Sequence, residues 1–407
     1  MSVPKAFSGT AGKIFDCACR IVLDCDRGNI TLDDAMDTVP EEFRRTVEHL
    51  LFTFFRQRKR IEAVLRKFIS KPPRPEVVIM LAVAAAQCRF QTGIAPESAV
   101  NVAVDTAKKY HADKFVNAVL RNFLRTDLPA EFSAADILPP AIFRRWKKRF
   151  DKETLDKFAL LFAAEPPFSY RVLPGFEPVE NSSEIPAFGN FRFATAKPAA
   201  VINSETLGKG GFYIQDPATS FAVSLAATAA PTAKRVLDIC AAPGGKTLML
   251  GELCGNDCEI TAADISPRRQ ERTRKNFEVY HRNYQVITAA PESLCGQYDI
   301  IMADMPCSNT GVFRKRPDAI WRFNEKDLAE IVNIQHNILS AAAKLLAPGG
   351  IIIVSTCSIE PEENSQLIDF LLSINPSLNC EIQQTLLPDS THDGAFAALL
   401  SFHEKRK

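Results

Sequence analysis

From about residue 216 onward, short apolar runs alternate with helical stretches, and this alternation constrains the fold more than any other feature of the chain. The apolar runs end at Ile239, Ala263, Ala289, Ala303 and Ser355. Between them lie stretches such as Lys326 to Leu346, where Ile331, Ile334, Ile338, Ala342 and Leu345 share one helical face. Ala347-Pro348-Gly349-Gly350 stops that helix before the next strand. The pattern predicts a doubly wound α/β domain over residues 216–407, with a mainly parallel sheet.

The remainder reads differently. Residues 1–128 predict an all-helical domain, with sparse glycine and apolar residues at helical spacing. In Ala112 to Arg125, the residues Val116, Leu120 and Phe123 form an apolar stripe, and Asn117, Arg121 and Arg125 line another face. That second face is either a solvated surface or an RNA-facing edge. Residues 129–215 predict a proline-bearing link, a helix and a small mixed α/β piece with strands near Phe168–Val172 and Phe191–Ala194. The helix from Ala141 carries Arg144, Arg145, Trp146, Lys147, Lys148 and Arg149. The cluster suits phosphate contact with a base stacked on the tryptophan, or a charged surface helix at a domain boundary.

A length of 407 residues suits two or three domains, and a net charge of +1 gives no whole-chain argument for nucleic acid. The eleven cysteines are scattered and odd in number, and Met1-Ser2-Val3-Pro4-Lys5 opens no secretory leader. Reduced thiols in a cytoplasmic protein are expected, and no apolar run approaches the roughly 20 residues of a membrane helix. Cys17, Cys19 and Cys25, and separately Cys254 and Cys258, lack the ligand spacing of a zinc site. No metal is expected, and a monomer is.

Two cysteines sit just past the ends of apolar strands. Cys307 lies in Asp304-Met305-Pro306-Cys307-Ser308, and Cys357 in Ser355-Thr356-Cys357-Ser358. Ligands of open α/β sheets bind outside the carboxyl ends of the strands. The first strand, Arg235–Ile239, runs into Cys240-Ala241-Ala242-Pro243-Gly244-Gly245-Lys246-Thr247. A Walker A loop is excluded, because Cys240 stands where its first glycine is needed, and the dinucleotide G-x-G-x-x-G is absent. The second strand ends at Asp264, placed either to hold a ribose diol or to cap the helix near Pro267. A glycine loop and a strand-two acid, without pyrophosphate glycines, point to an adenosine cofactor lacking a diphosphate, which S-adenosylmethionine fits.

Asp238 to Thr247, Asp304 to Ser308 and Thr356-Cys357-Ser358-Ile359-Glu360-Pro361-Glu362-Glu363-Asn364 together resemble the RNA cytosine-C5 methyltransferases. The resemblance is to the bacterial 16S ribosomal RNA enzymes of the Sun/RsmB type. These carry an N-terminal NusB-like domain, which Lys114-Phe115-Val116-Asn117-Ala118-Val119-Leu120-Arg121 also resembles. The resemblance implies an all-α NusB-like domain, a small mixed middle domain and a C-terminal Rossmann-like class I methyltransferase domain. It implies S-adenosylmethionine as cofactor and ribosomal RNA as partner. Transfer RNA or large-subunit RNA is the alternative substrate, and a catalytically silent RNA-binding assembly factor the alternative class.

Cytosine C5 becomes nucleophilic only after a thiolate adds at C6, and the thiolate must later be expelled. The resemblance implies that Cys357 is the nucleophile and that Cys307 assists release. It implies that Asp304 holds the N3/N4 edge of the base and also borders the cofactor. Cys240, Ala241, Ala242, Pro243, Gly244, Gly245, Lys246 and Asp264 form the expected cofactor site. Lys246 is placed to favour a thiolate or to touch cofactor or base. Arg121, Arg125, Arg145, Lys148, Arg314 and Arg316 are the expected RNA contacts. The chain departs from the family after the third strand, where Ala289-Ala290-Pro291-Glu292 lacks the usual acid and Glu292 is the available substitute. Leu173 also stands where the family often has asparagine.

Overall fold

The structure, a computed structural model, describes residues 9–28, 30–129 and 132–402. By its contacts the chain forms two compact units. One comprises the described residues up to Glu165 together with Phe313–Phe323, and the other comprises Pro166–Val312 and the described residues from Asn324 onward.

The first unit is helical throughout its described residues. Its central helix, Pro75–Phe90, starts with proline at its first turn and buries Val77 and every residue from Ile79 to Cys88. A helix apolar on all sides belongs inside a core, and the helices Thr10–Asp26, Glu41–Leu65, Pro96–Ala107 and Asp113–Leu124 pack around it. The helix Asp113–Leu124 buries Val116, Val119, Leu120 and Phe123, the expected stripe with one more member.

One expectation fails here. Trp146, at the end of the helix Pro140–Trp146, is fully buried, with its ring 5.7 Å from Phe313, 5.6 Å from Phe158 and 6.1 Å from Phe150 and Phe162. It cannot stack on a base. The indole fills an aromatic core while its basic neighbours Lys147, Lys148 and Arg149 stay exposed. The segment Phe313–Phe323 supplies part of that core, and Trp321 donates its indole N–H to the Phe55 carbonyl at 2.9 Å.

The second unit contains two sheets. The smaller is antiparallel in the order β2-β3-β1-β4, with β1 Ser169–Val172, β2 Ser183–Ile185, β3 Arg192–Thr195 and β4 Phe212–Ile214. Leu173, just beyond β1, is buried. The larger sheet has seven strands: β5 Arg235–Asp238, β6 Glu259–Asp264, β7 Gln285–Thr288, β8 Tyr298–Asp304, β9 Leu346–Thr356, β10 Leu378–Leu386 and β11 Ala395–Phe402. Their order is β10-β11-β9-β8-β5-β6-β7. Strands β5 to β9 are parallel to their neighbours, and the hairpin β10–β11 adds to β9 in the antiparallel sense. Chain order reverses between β5 and its neighbours β6 and β8. That switch point is where a ligand crevice opens at the carboxyl ends of the strands. The helix predicted after Lys326 runs from Glu325 to Lys344, and the following Ala-Pro-Gly-Gly lies at the irregular start of β9. Among the described residues no helix is long and apolar enough to cross a membrane.

Candidate active site

The loop after β5 is held from three directions. Ile239 N–H donates to Met302 O at 2.9 Å, Ala241 N–H to Ala263 O at 2.9 Å, and Asn276 Nδ2 to Pro243 O at 2.8 Å. Gly244 has φ +97°, and a Cβ there would lie 2.7 Å from the Phe277 ring. Only glycine fits that backbone, and it opens the helix Gly245–Cys254, whose first turn leaves backbone N–H groups without helical partners.

The loop fits a cationic adenosyl group. Asp238 is completely buried; its Oδ2 accepts the Thr247 hydroxyl at 2.7 Å, and its Oδ1 has no side-chain partner among the described residues. Burial pushes the Asp238 carboxyl up to about 7. Gln215, whose Nε2 would lie 3.1 Å from a Cβ on Gly245, also has a buried and unpartnered Oε1. Sequence reasoning passed over Gln215, because nothing in its spacing sets it beside the loop. Asp264 is buried, and its Oδ1 accepts Ser266 N–H at 2.8 Å and pairs with Arg269 at 2.9 Å. The cap of the helix Pro267–Val279 is Ser266, which accepts the Arg269 N–H. Asp264 is therefore not that cap. Ile265, 63% exposed beside it, offers an apolar face that sequence reasoning also missed. Glu292 lies exposed in the turn Pro291–Ser293. Burial and the nearby Asp238 and Asp304 carboxylates push the Cys240 thiol well up, so Cys240 stays a neutral wall of the loop.

At the ends of β8 and β9 the chemistry-bearing side chains meet. Asp304 Oδ2 lies 2.6 Å from Lys246 Nζ, and its Oδ1 accepts the Ser355 hydroxyl at 3.1 Å. Burial alone would lower the Lys246 pKa, but the charge and hydrogen bond of Asp304 outweigh it and hold the ammonium above its ordinary value. Cys357 acts on the Lys246 ammonium in the same sense as Asp304. Cys307 Sγ and Cys357 Sγ are 3.0 Å apart. Asn309, in the left-handed region at φ +62°, donates Nδ2 to the Cys307 carbonyl at 3.0 Å and accepts the Cys357 thiol at 3.1 Å. The hydrogen bond with Cys357, burial and the Cys357 charge raise the Cys307 pKa, so the pair holds one shared proton more readily than none.

The expected RNA-contact residues all lie in the first unit. Arg121 donates to Asn117 at 3.0 Å on an exposed face, and Arg125 and Lys148 are exposed. Arg145 lies 5.7 Å over the Phe323 ring. Arg314 donates to Glu165 O at 3.1 Å, and its own carbonyl accepts Arg56 at 3.2 Å. Arg316 pairs with Asp33. Although Arg314 and Arg316 follow Cys307 closely in sequence, they belong to the other unit by their contacts.

Comparison with known proteins agrees with this layout. The family described as 16S rRNA methyltransferase RsmB/F matches residues 226–400, and the NusB family matches residues 24–125. Ribosomal RNA small subunit methyltransferase B of Klebsiella pneumoniae is 29% identical over 379 residues, covering 86% of each chain. The protein of the same name from Proteus mirabilis is 38% identical over 174 residues, covering 41% of each. The crystal structure of PH0851 superposes with a TM-score of 0.74 at 20% identity, covering 98% of this chain and 99% of that one, which shows a shared fold. Residues 226–400 thus match the RsmB/F methyltransferase family, the chain uses S-adenosylmethionine, and a NusB-family match over residues 24–125 lies ahead of that segment.

Proposed function

We propose that the chain methylates C5 of a cytidine in small-subunit (16S) ribosomal RNA, through a covalent adduct between Cys357 and C6. The observation that carries this reading is the meeting of the Cys307 and Cys357 thiols, 3.0 Å apart, with the Lys246–Asp304 pair at the ends of adjacent strands. A simple methyl transfer to a heteroatom needs neither thiol, whereas C5 chemistry needs one to enter and a proton donor to help it leave. The names of the relatives and the NusB-family match support ribosomal RNA as the substrate.

In this mechanism S-adenosylmethionine supplies the methyl cation equivalent. Asp304 accepts from the N4 amino group, while Lys246 Nζ holds a proton beside N3 as the Cys357 thiolate adds at C6. The electron pair displaced onto the ring makes C5 nucleophilic. After methyl transfer the C5 proton passes to solvent water, its electron pair re-forms the C5–C6 double bond as the C6–S bond breaks, N3 returns its proton to Lys246, and Cys357 leaves as thiolate. Cys307, kept protonated, stabilises that departing sulfur. Asp264 and the backbone of Gly244 and Gly245 hold the ribose and methionine ends of the cofactor. Arg121, Arg125, Arg145, Lys148, Arg314 and Arg316 contribute charge for RNA phosphates.

The target must be unpaired or flipped out. Bisulfite sequencing of total RNA, from cells with and without the gene, tests the reading. One protected cytosine of 16S RNA is expected to become convertible when the gene is absent. Loss of protection in transfer RNA or large-subunit RNA instead would move the substrate, and no change in any RNA would overturn the activity.

A further inference from the structure

The two cysteine loops converge on one buried carboxylate. Glu363 lies in the turn Pro361–Glu363 and is 0% exposed. Its Oε1 accepts the backbone N–H of Ser308 at 2.7 Å and Gln335 Nε2 at 3.3 Å. Its Oε2 accepts the hydroxyls of Ser308 and Ser358, each at 2.5 Å. Ser308 follows Cys307, and Ser358 follows Cys357. Gln335 Nε2 also donates to Pro306 O at 2.7 Å, so the residue before Cys307 is held by the same group. Ser358 Oγ further meets Thr310 Oγ1 at 3.0 Å and accepts Glu360 N–H at 3.0 Å.

We infer that Glu363 is a positioning residue for methyl transfer: it ties the Cys307 loop to the Cys357 loop and so sets the approach of the two thiols. The inference rests on the reading that both thiols serve one pyrimidine ring. Each loop follows a different strand, β8 or β9, and strand pairing ends at Asp304 and Ser355. Beyond that point the cysteines are aligned by what bridges the loops. A carboxylate offers four acceptor sites in one plane, and here three neutral donors from the two loops and one from Gln335 occupy them. Removing it strands the Ser308 N–H and leaves the two hydroxyls to turn to each other and to Thr310, which changes the spacing of the loops. A shift of about 1 Å at reacting atoms costs about 100-fold in rate.

The test has two arms. In the first, RNA carrying 5-fluorocytidine at the target is incubated with S-adenosylmethionine, and covalent protein–RNA adduct is followed on a denaturing gel. The fluorine at C5 cannot leave as a proton does, so the adduct accumulates. Glu363→Ala is expected to form it about 100-fold more slowly, with the dissociation constant for S-adenosylmethionine unchanged. Glu363→Gln, which still accepts the Ser308 N–H and donates to the hydroxyls, is expected to recover most of the rate. In the second arm, diamide takes two electrons and two protons from Cys307 and Cys357, leaving a disulfide and the reduced hydrazine. Mass spectrometry is expected to show that this bond forms at least severalfold more slowly in Glu363→Ala. If Glu363→Ala does not fold, Ser308→Ala and Ser358→Ala, alone and combined, replace it in both arms. Wild-type rates in both arms for a folded variant overturn the inference. Absence of adduct with the wild-type protein overturns the proposed reaction instead, and the diamide arm then decides the role of Glu363 by itself.

Discussion

Lys246 Nζ lies 2.6 Å from Asp304 Oδ2, which joins the first turn of the helix Gly245–Cys254 to the end of β8. The lysine side chain is 15% exposed and the aspartate 33%. Lys246→Met leaves the carboxylate without its cation. With solvent still reaching Asp304, a destabilisation of about 1–3 kcal/mol is expected, below that of a fully buried pair. The double variant Lys246→Met/Asp304→Asn should then be more stable than Lys246→Met alone. Urea unfolding of the four proteins measures the coupling, and additive effects would show that the pair contributes nothing. Both single variants are expected to lose methyl transfer by about 10²–10⁴-fold, the range of acid–base assistance.

The thiol pair predicts opposite phenotypes from one substitution type. Cys357→Ala removes the proposed attacking sulfur and should abolish methyl transfer without forming adduct. Cys307→Ala keeps the attacker but removes the S–H that stabilises its departure, so adduct should accumulate on unmodified RNA. A denaturing gel separates the cases. An adduct with Cys357→Ala and none with Cys307→Ala would exchange the two roles.

Much of this arrangement was legible before the structure, for a physical reason. Val236, Leu237, Ile300, Ile301, Ile352, Ile353 and Val354 are all fully buried. Strands covered on both faces appear in sequence as unbroken apolar runs. Strand β10 carries exposed Glu381, Gln383, Gln384 and Thr385 at the sheet edge, so the hairpin gave no comparable signal. Phe313 and Trp321 were unreadable differently: local periodicity says that an aromatic is buried, never in which core. Their neighbours Arg314 and Arg316 follow Cys307 closely in the chain, and nothing in that spacing tells that they meet Glu165 and Asp33. Glu363 sits among Glu360 and Glu362, and spacing does not tell which acid turns inward to receive Ser308 and Ser358.

Asp238 predicts a pH-dependent stability. Burial raises its pKa from 3.8 to about 7, against the Thr247 hydrogen bond and with Asp304 and Lys246 acting in opposite senses. The folded chain therefore holds a proton that the unfolded chain releases between about pH 4 and about pH 7. The stability this proton brings is complete below the lower value and lost as pH rises through the upper one. Asp238→Asn is permanently neutral and lacks that slope. Its thermal midpoint relative to wild type should climb by several degrees between pH 4.5 and pH 8, at about 2–4 °C for each kcal/mol. Parallel midpoints across that range would mean that Asp238 ionises normally.

Gly311 predicts how closely the cysteine loops must approach. Its N–H donates to the Cys357 carbonyl at 2.9 Å, and its carbonyl accepts Gly394 N–H at 2.9 Å. A Cβ there would lie 2.6 Å from Gly394 O and 2.8 Å from Cys357 O. Both obstacles are backbone, so neither can swing aside as a flexible side chain would. Gly311→Ala is expected to cost about 1–3 kcal/mol of stability, as overpacking does, and to push the Cys357 loop away from Cys307. Methyl transfer should fall by about 100-fold, while S-adenosylmethionine binding, proposed to use the β5 and β6 loops, should be retained. Calorimetric titration with the cofactor and single-turnover assays on RNA give the two readings. Full activity in the alanine variant would show that the separation of the loops tolerates more than the structure indicates.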